Sequence, residues 1–134
     1  MTQLAELAER VARAQAHAKP SAEALAADRD AFDLVSFNLM LAVQSCASVA
    51  SHLIADEGWA PTSTVAASFA RLAEHDVIRQ ETAQALTRAV GLRNVVAHGY
   101  AKVDPQSVHA AVTVGISDLD AFAAEVAAWL VGRT

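Results

Sequence analysis

Residues 34–55, LVSFNLMLAVQSCASVASHLIA, run for 22 positions without Asp, Glu, Lys or Arg in a chain of 134. Apolar residues leading into and through this run recur at heptad-like steps: Leu25, Phe32, Val35, Leu39, Ala42, Cys46, Val49 and Leu53. That period predicts one long helix, capped at its start by Ser21. Length alone would suit a membrane span, which takes ~20 predominantly apolar residues. The run also contains Ser36, Asn38, Gln44, Ser45, Ser48, Ser51 and His52, too many polar groups for hydrocarbon. A helix without charge on any face is expected to be buried on more than one side. One side would face its own bundle and the other a partner subunit, with the serines permitting close approach. His52 then reads as a hydrogen-bonded structural histidine.

Working outward, Leu4, Leu7, Val11, Ala14 and Ala18 form one apolar stripe on a first helix that Pro20 ends. After the long helix, residues 56–63 are turn-rich, with Gly58 and Pro61 as breakers and Thr62 or Ser63 as the next cap. Val65, Phe69 and Leu72 predict a short helix, His75 and Asp76 a turn, and Gln80 onward a fourth helix through Leu86, Val90 and Val96. Gly91 within that helix is expected to serve a close backbone approach. Asp104 and Pro105 have the cap and first-turn chemistry for a last helix reaching about Val131. Gly115 falls on its apolar stripe and is expected at a tight helix contact. The fold class is therefore all-α: residues 1–134 form a single domain, an up-and-down bundle of four to five helices.

Composition narrows the function. Ten Lys and Arg against 15 Asp and Glu give a net charge of −5, the opposite of what a protein gripping many phosphates of a long nucleic acid carries. Any RNA contact must be local and rest on a few arginines. Cys46, the one cysteine, sits in an apolar pattern and cannot pair within the chain, which suits a reducing compartment. The N-terminal segment is an amphipathic charged helix without the apolar core of a signal peptide, so the expected location is cytoplasmic, away from any membrane. The five histidines show no metal-binding spacing, and no glycine-rich phosphate loop occurs; neither a metal nor a cofactor is expected.

Chemistry concentrates in one place. Arg93-Asn94-Val95-Val96-Ala97-His98-Gly99-Tyr100 puts a fixed cation, an imidazole and a phenol within eight residues at the predicted end of the fourth helix. Guanidinium forks onto phosphate oxygens, imidazole exchanges protons near neutrality, and the phenol offers a hydroxyl. Taken alone, the same residues also fit a surface arginine, a histidine on the helix dipole and a tyrosine anchoring a turn. At 100° per residue Arg93 and His98 stand roughly 140° apart around the axis and do not share a stripe. Either Arg93 curls round the helix end or a second copy of the motif completes the site.

The stretch resembles the R-x-x-x-x-H-x-Y motif of the HepT family of HEPN-domain toxins, with Arg93, His98 and Tyr100 at its fixed positions. Val103-Asp104-Pro105 resembles the family's continuation, residues 50–54 the end of its long helix, and residues 69–78 (FARLAEHDVI) and 89–94 also read like the family in the same order. The resemblance spans about residues 34–130. It implies a homodimer with the site at the interface and a toxin that cleaves RNA as an endoribonuclease. It also implies a cognate minimal nucleotidyltransferase antitoxin of the MntA type that transfers AMP to Tyr100. On this reading Arg93 holds the phosphate, His98 moves protons and Asn94 adds a hydrogen bond. The chain departs from the family at Ser36-Phe37, where an acidic-basic pair is usual, and at Ser48, where an acid is. Should those positions orient Arg93 or His98, this copy is the weaker catalyst. The competing class is a helical dimer that serves only as an interaction module for the nucleotidyltransferase.

Overall fold

In the computed structural model, which describes residues 2–99 and 102–133, residues 34–55 lie inside the longest helix, and the other helices pack around it. The helices are α1 (Thr2–Ala16), α2 (Ala22–Ala27), α3 (Arg29–Glu57), α4 (Val65–Glu74), α5 (Gln80–His98), α6 (Pro105–Ala110) and α7 (Ile116–Gly132). A π-helical turn, Ala111–Gly115, joins α6 to α7 without a break. The described residues contain no strand, and the all-α bundle expected from the periodicity is what forms.

Two boundaries differ from the sequence expectation. The long helix does not begin at the Ser21 cap. Ser21 caps only the six-residue α2, accepting from the Ala24 N–H at 3.0 Å. The chain turns out of helical geometry at Asp28 (φ −107, ψ 93), whose carboxylate accepts from the Ala31 N–H at 3.1 Å and starts α3. The bundle therefore has one more short helix than its apolar stripe suggested. At the other end Gly58 adopts the left-handed conformation (φ 70) that only glycine enters without strain, and its N–H closes on Ala55. The next cap is Thr64, not Thr62 or Ser63, and it accepts from the Ala67 N–H at 3.0 Å.

Both predicted glycine contacts fail. A Cβ on Gly91 would meet nothing within 4 Å, and one on Gly115 would touch only Ala111 and Ala110 at ordinary distances. The reason at Gly115 is register. The wide π turn lets buried residues recur in steps of four, Val108, Val112 and Ile116, so Ile116 takes the core position that a regular helix would give residue 115. Thr113 and Ser117 donate their hydroxyls to the His109 and Val114 carbonyls around this turn.

The core is continuous along α3. Phe69 and Phe122 meet edge to face at 5.8 Å, both fully enclosed. Cys46 is enclosed as well, and desolvation pushes its thiol far up, which makes it a small hydrophobe and no nucleophile. By length and composition α3 could cross a membrane, yet more than half of its most apolar window is buried in the fold. His52, expected to be bonded and structural, is exposed instead.

Candidate active site

Two elements carry the motif face. Glu125 of α7 accepts from the Arg79 N–H at 2.7 Å and from the Thr82 hydroxyl at 2.8 Å, fixing where α5 starts. The other end of α5 is His98, after which Gly99 leaves helical geometry with its N–H on the Val95 carbonyl at 2.7 Å. Gly99 has φ −144, so it ends the helix without the left-handed turn that Gly58 uses. Asp104 then caps α6 through the Gln106 N–H at 3.0 Å, with Pro105 at its first position as expected.

Arg93 and Asn94 come together: the guanidinium Nη2 donates to Asn94 Oδ1 at 2.7 Å. Arg93 Nε is enclosed and has no acceptor among the described residues, an uncommon state for a buried N–H. His98 does not join them. It is exposed at the helix end, in keeping with the 140° offset, while Arg93 turns its guanidinium to Asn94. Tyr100 lies outside the described residues.

Two hollows border the motif. One, of about 770 Å³, runs between α3, α5 and the π turn, with Leu39, Met40, Leu92 and Val114 among its apolar walls and Arg93 at its side. The other, of about 610 Å³, is lined by Leu34, Phe37, Met40 and Gln44 of α3 and by Val96 and Ala97 of α5. Phe37 is 50% exposed and Leu34 41%, so this face of α3 carries apolar surface that the bundle itself does not cover. Phe37 borders the same hollow as Val96 and Ala97 of the motif. Ser36 turns the opposite way, into the core, where its hydroxyl has no partner among the described residues. An acid there would be buried. Among the described residues no group of three or more His, Cys, Asp or Glu could hold a metal ion.

The family model described as ribonuclease HepT-like matches residues 4–126. The chain belongs to this family. It is similar to the mRNA nuclease HepT of Shewanella oneidensis, 28% identical over 90 residues that make up 67% of this chain and 68% of that one. In structure it is similar to a tri-AMPylated Shewanella oneidensis HEPN toxin in complex with MNT antitoxin, with a TM-score of 0.87, 24% identity and 95% of each chain covered. A toxin–antitoxin crystal structure with AMP-PNP matches at a TM-score of 0.84 and 22% identity, over 93% of this chain and 95% of that one. At such identities these likenesses speak for the fold.

Proposed function

We propose that this HepT-like chain is the toxin of a two-component pair, an endoribonuclease in which Arg93 and His98 cleave RNA without a metal. RNA carries its own nucleophile, the 2′-hydroxyl, so the protein must deprotonate that oxygen, balance charge on the phosphate and protonate the leaving 5′-oxygen. The O2′–P bond forms as the P–O5′ bond breaks, leaving a 2′,3′-cyclic phosphate and a 5′-hydroxyl. The observation that carries this reading is Arg93, whose enclosed Nε lacks an acceptor among the described residues, beside an open groove. A phosphate oxygen supplies what is missing. Asn94 Oδ1 holds the other arm of the guanidinium, which restricts its orientation before substrate arrives.

His98 serves as base or acid, and the separation of Arg93 from His98 favours a site assembled from two copies. Leu34, Phe37 and Val95, the exposed apolar side chains nearest the motif, supply the surface for that homodimer. The second copy's His98 then takes the opposite proton-transfer role. In this reading the partner is a nucleotidyltransferase antitoxin and the pair works in the cytoplasm. AMP on Tyr100 places a phosphate and a nucleoside beside the motif, where the adenylate competes with RNA for Arg93. A phenol is too weak an acid to shuttle protons at neutral pH, so Tyr100 is the point of control and not a catalytic group.

The test is RNA cleavage in EDTA. Wild type is expected to leave 2′,3′-cyclic phosphate ends, and His98→Ala to lose at least ~100-fold in rate with unchanged helicity. Equal cleavage by both proteins would refute the assignment. Co-expression with the antitoxin should add adenylate mass to the peptide holding Tyr100, and Tyr100→Phe should escape it. Inhibition of Tyr100→Phe without added mass would mean silencing by docking alone.

A further inference from the structure

The ten Lys and Arg residues divide unevenly. Seven of them sit 2.6–3.4 Å from a carboxylate oxygen. The remaining three, Arg88, Arg93 and Lys102, have no carboxylate partner among the described residues, and all three line the same groove of about 770 Å³. In a chain with a net charge of −5, where acids outnumber bases, a surface cation ordinarily finds an acid. Three cations left over in one place raise the local potential and favour an anion there.

The two carboxylates of the groove, Asp104 and Asp118, offset part of this charge and leave a formal excess of one positive charge. Asp104 is engaged in capping α6 through the Gln106 N–H and the Ser107 hydroxyl, and Asp118 makes no ion pair with any of the three. Arg88 and Arg93 are five residues apart on α5, about 7.5 Å along the axis, so one phosphate does not satisfy both guanidinium groups comfortably. Lys102 approaches from beyond the end of α5, just before the α6 cap. Between these cations the walls are apolar: Leu39, Met40, Leu92 and Leu119. A strand with several phosphates and an unstacked base matches that combination. A duplex does not, because its base faces are stacked inside and unavailable to an apolar wall.

We propose that this groove binds single-stranded RNA beside the scissile phosphate, with Arg88 and Lys102 each on a neighbouring phosphate and an unpaired base against the apolar wall. The inference rests on the ribonuclease reading of Arg93 and His98, and assigns to Arg88 and Lys102 the strand and not the chemistry.

The probe is a fluorescent, mixed-sequence 2′-O-methyl RNA dodecamer, which lacks the attacking hydroxyl and cannot be cleaved. Its anisotropy is followed from about 50 to about 300 mM KCl. Arg88→Gln and Lys102→Gln should each weaken binding roughly 5–10-fold, and each should lower the slope of log Kd against log salt by ~0.7, the single-strand value for one phosphate contact. Arg88→Lys should restore the slope, and Arg13→Gln, which removes an ion-paired cation of α1, should leave it alone. An annealed duplex of the same length should compete at least ~10-fold less well. With cleavable RNA, the losses in the two variants should fall mainly on KM.

If the double variant binds the probe like wild type while His98→Ala still abolishes cleavage, the ribonuclease stands and the groove assignment falls. Slope-dependent binding through Arg88 and Lys102 in a protein that cleaves nothing keeps the groove and removes the ribonuclease. Absence of both binding and cleavage in the wild type overturns both. A change of mass by light scattering in the double variant, with no change of slope, would make the groove a protein-docking surface and overturn the proposal too.

Discussion

The end of the bundle around Trp59 and the α5 end around Arg93 are both built from aromatic or apolar walls with cations beside them. At the first, His75 stacks flat on Trp59 at 3.8 Å, Trp129 meets Trp59 edge-on at 6.0 Å, and Arg133 lies over Trp129 while its guanidinium pairs with Glu57 at 2.6 Å. Each cation there has a carboxylate or a ring. At the second, Arg88 and Lys102 have neither among the described residues, Arg93 keeps an enclosed N–H without an acceptor there, and apolar side chains stand exposed on α3. Satisfied groups cement a scaffold, and unsatisfied ones await something outside the chain. On the proposed reading, the first end serves stability and the second serves binding.

The largest expected effect tests whether the two ends share one core. Phe122→Ala removes the ring that meets Phe69 at the centre of the fold and should cost roughly 3–5 kcal/mol, read as a lowered urea midpoint. Loss of helicity and of RNA cleavage should follow the same transition. Separate transitions would mean that the motif end folds on its own.

Next, Trp59→Ala attacks the satisfied end. The stack with His75 and the edge contact with Trp129 both go, and roughly 2–3 kcal/mol of stability with them. RNA cleavage well below the melting temperature should be unchanged. A fall in cleavage rate with little change in stability would reverse the roles given to the two ends.

Phe37→Glu probes the unsatisfied end. The side chain is half exposed, so unfolding should shift by less than about 0.5 kcal/mol, whereas the mass by light scattering at micromolar concentration should fall from dimer to monomer. Cleavage should fall with the mass. Leu39, two residues on, is buried, and a charge there should unfold the bundle instead.

Much of this contrast was legible in the sequence and some was not. The uncharged run of α3, the Asp104-Pro105 cap and the His98-Gly99 helix end follow from local chemistry, and local chemistry decided them. The break at Asp28 did not show, because Leu25 and Phe32 keep the apolar period across it and a single non-helical residue leaves no trace in periodicity. The π turn hid for a related reason: a regular helix and a wide one place Gly115 and Ile116 differently, and the stripe reads well with either. Arg93, His98 and Asn94 were singled out by their types and spacing, and the family resemblance gave them their proposed roles. Arg88 and Lys102 were not, since what distinguishes them is the absence of a partner, and partners are known only once seven other cations have been paired in space. Glu125 was missed too, being 46 residues from the Arg79 N–H it accepts.

Glu125 gives the effect that links the two ends, because it fixes the start of the helix whose far end is His98. Partial burial pushes its carboxyl up, but the Arg79 N–H, the Thr82 hydroxyl and the Arg79 guanidinium together outweigh that and hold it below its ordinary value. A depressed carboxyl stabilises the fold above the unfolded pKa of ~4.3, and that contribution is lost as pH falls through the lower folded value. Glu125→Gln keeps the size and one acceptor, so it should cost about 1 kcal/mol at pH 7 in urea unfolding. The gap between wild type and variant should narrow on acidification below about pH 4, as the wild-type carboxylate takes up its proton. A gap that stayed constant from neutral to acid would mean that the charge of Glu125 contributes nothing and that packing of α7 alone sets α5 in place.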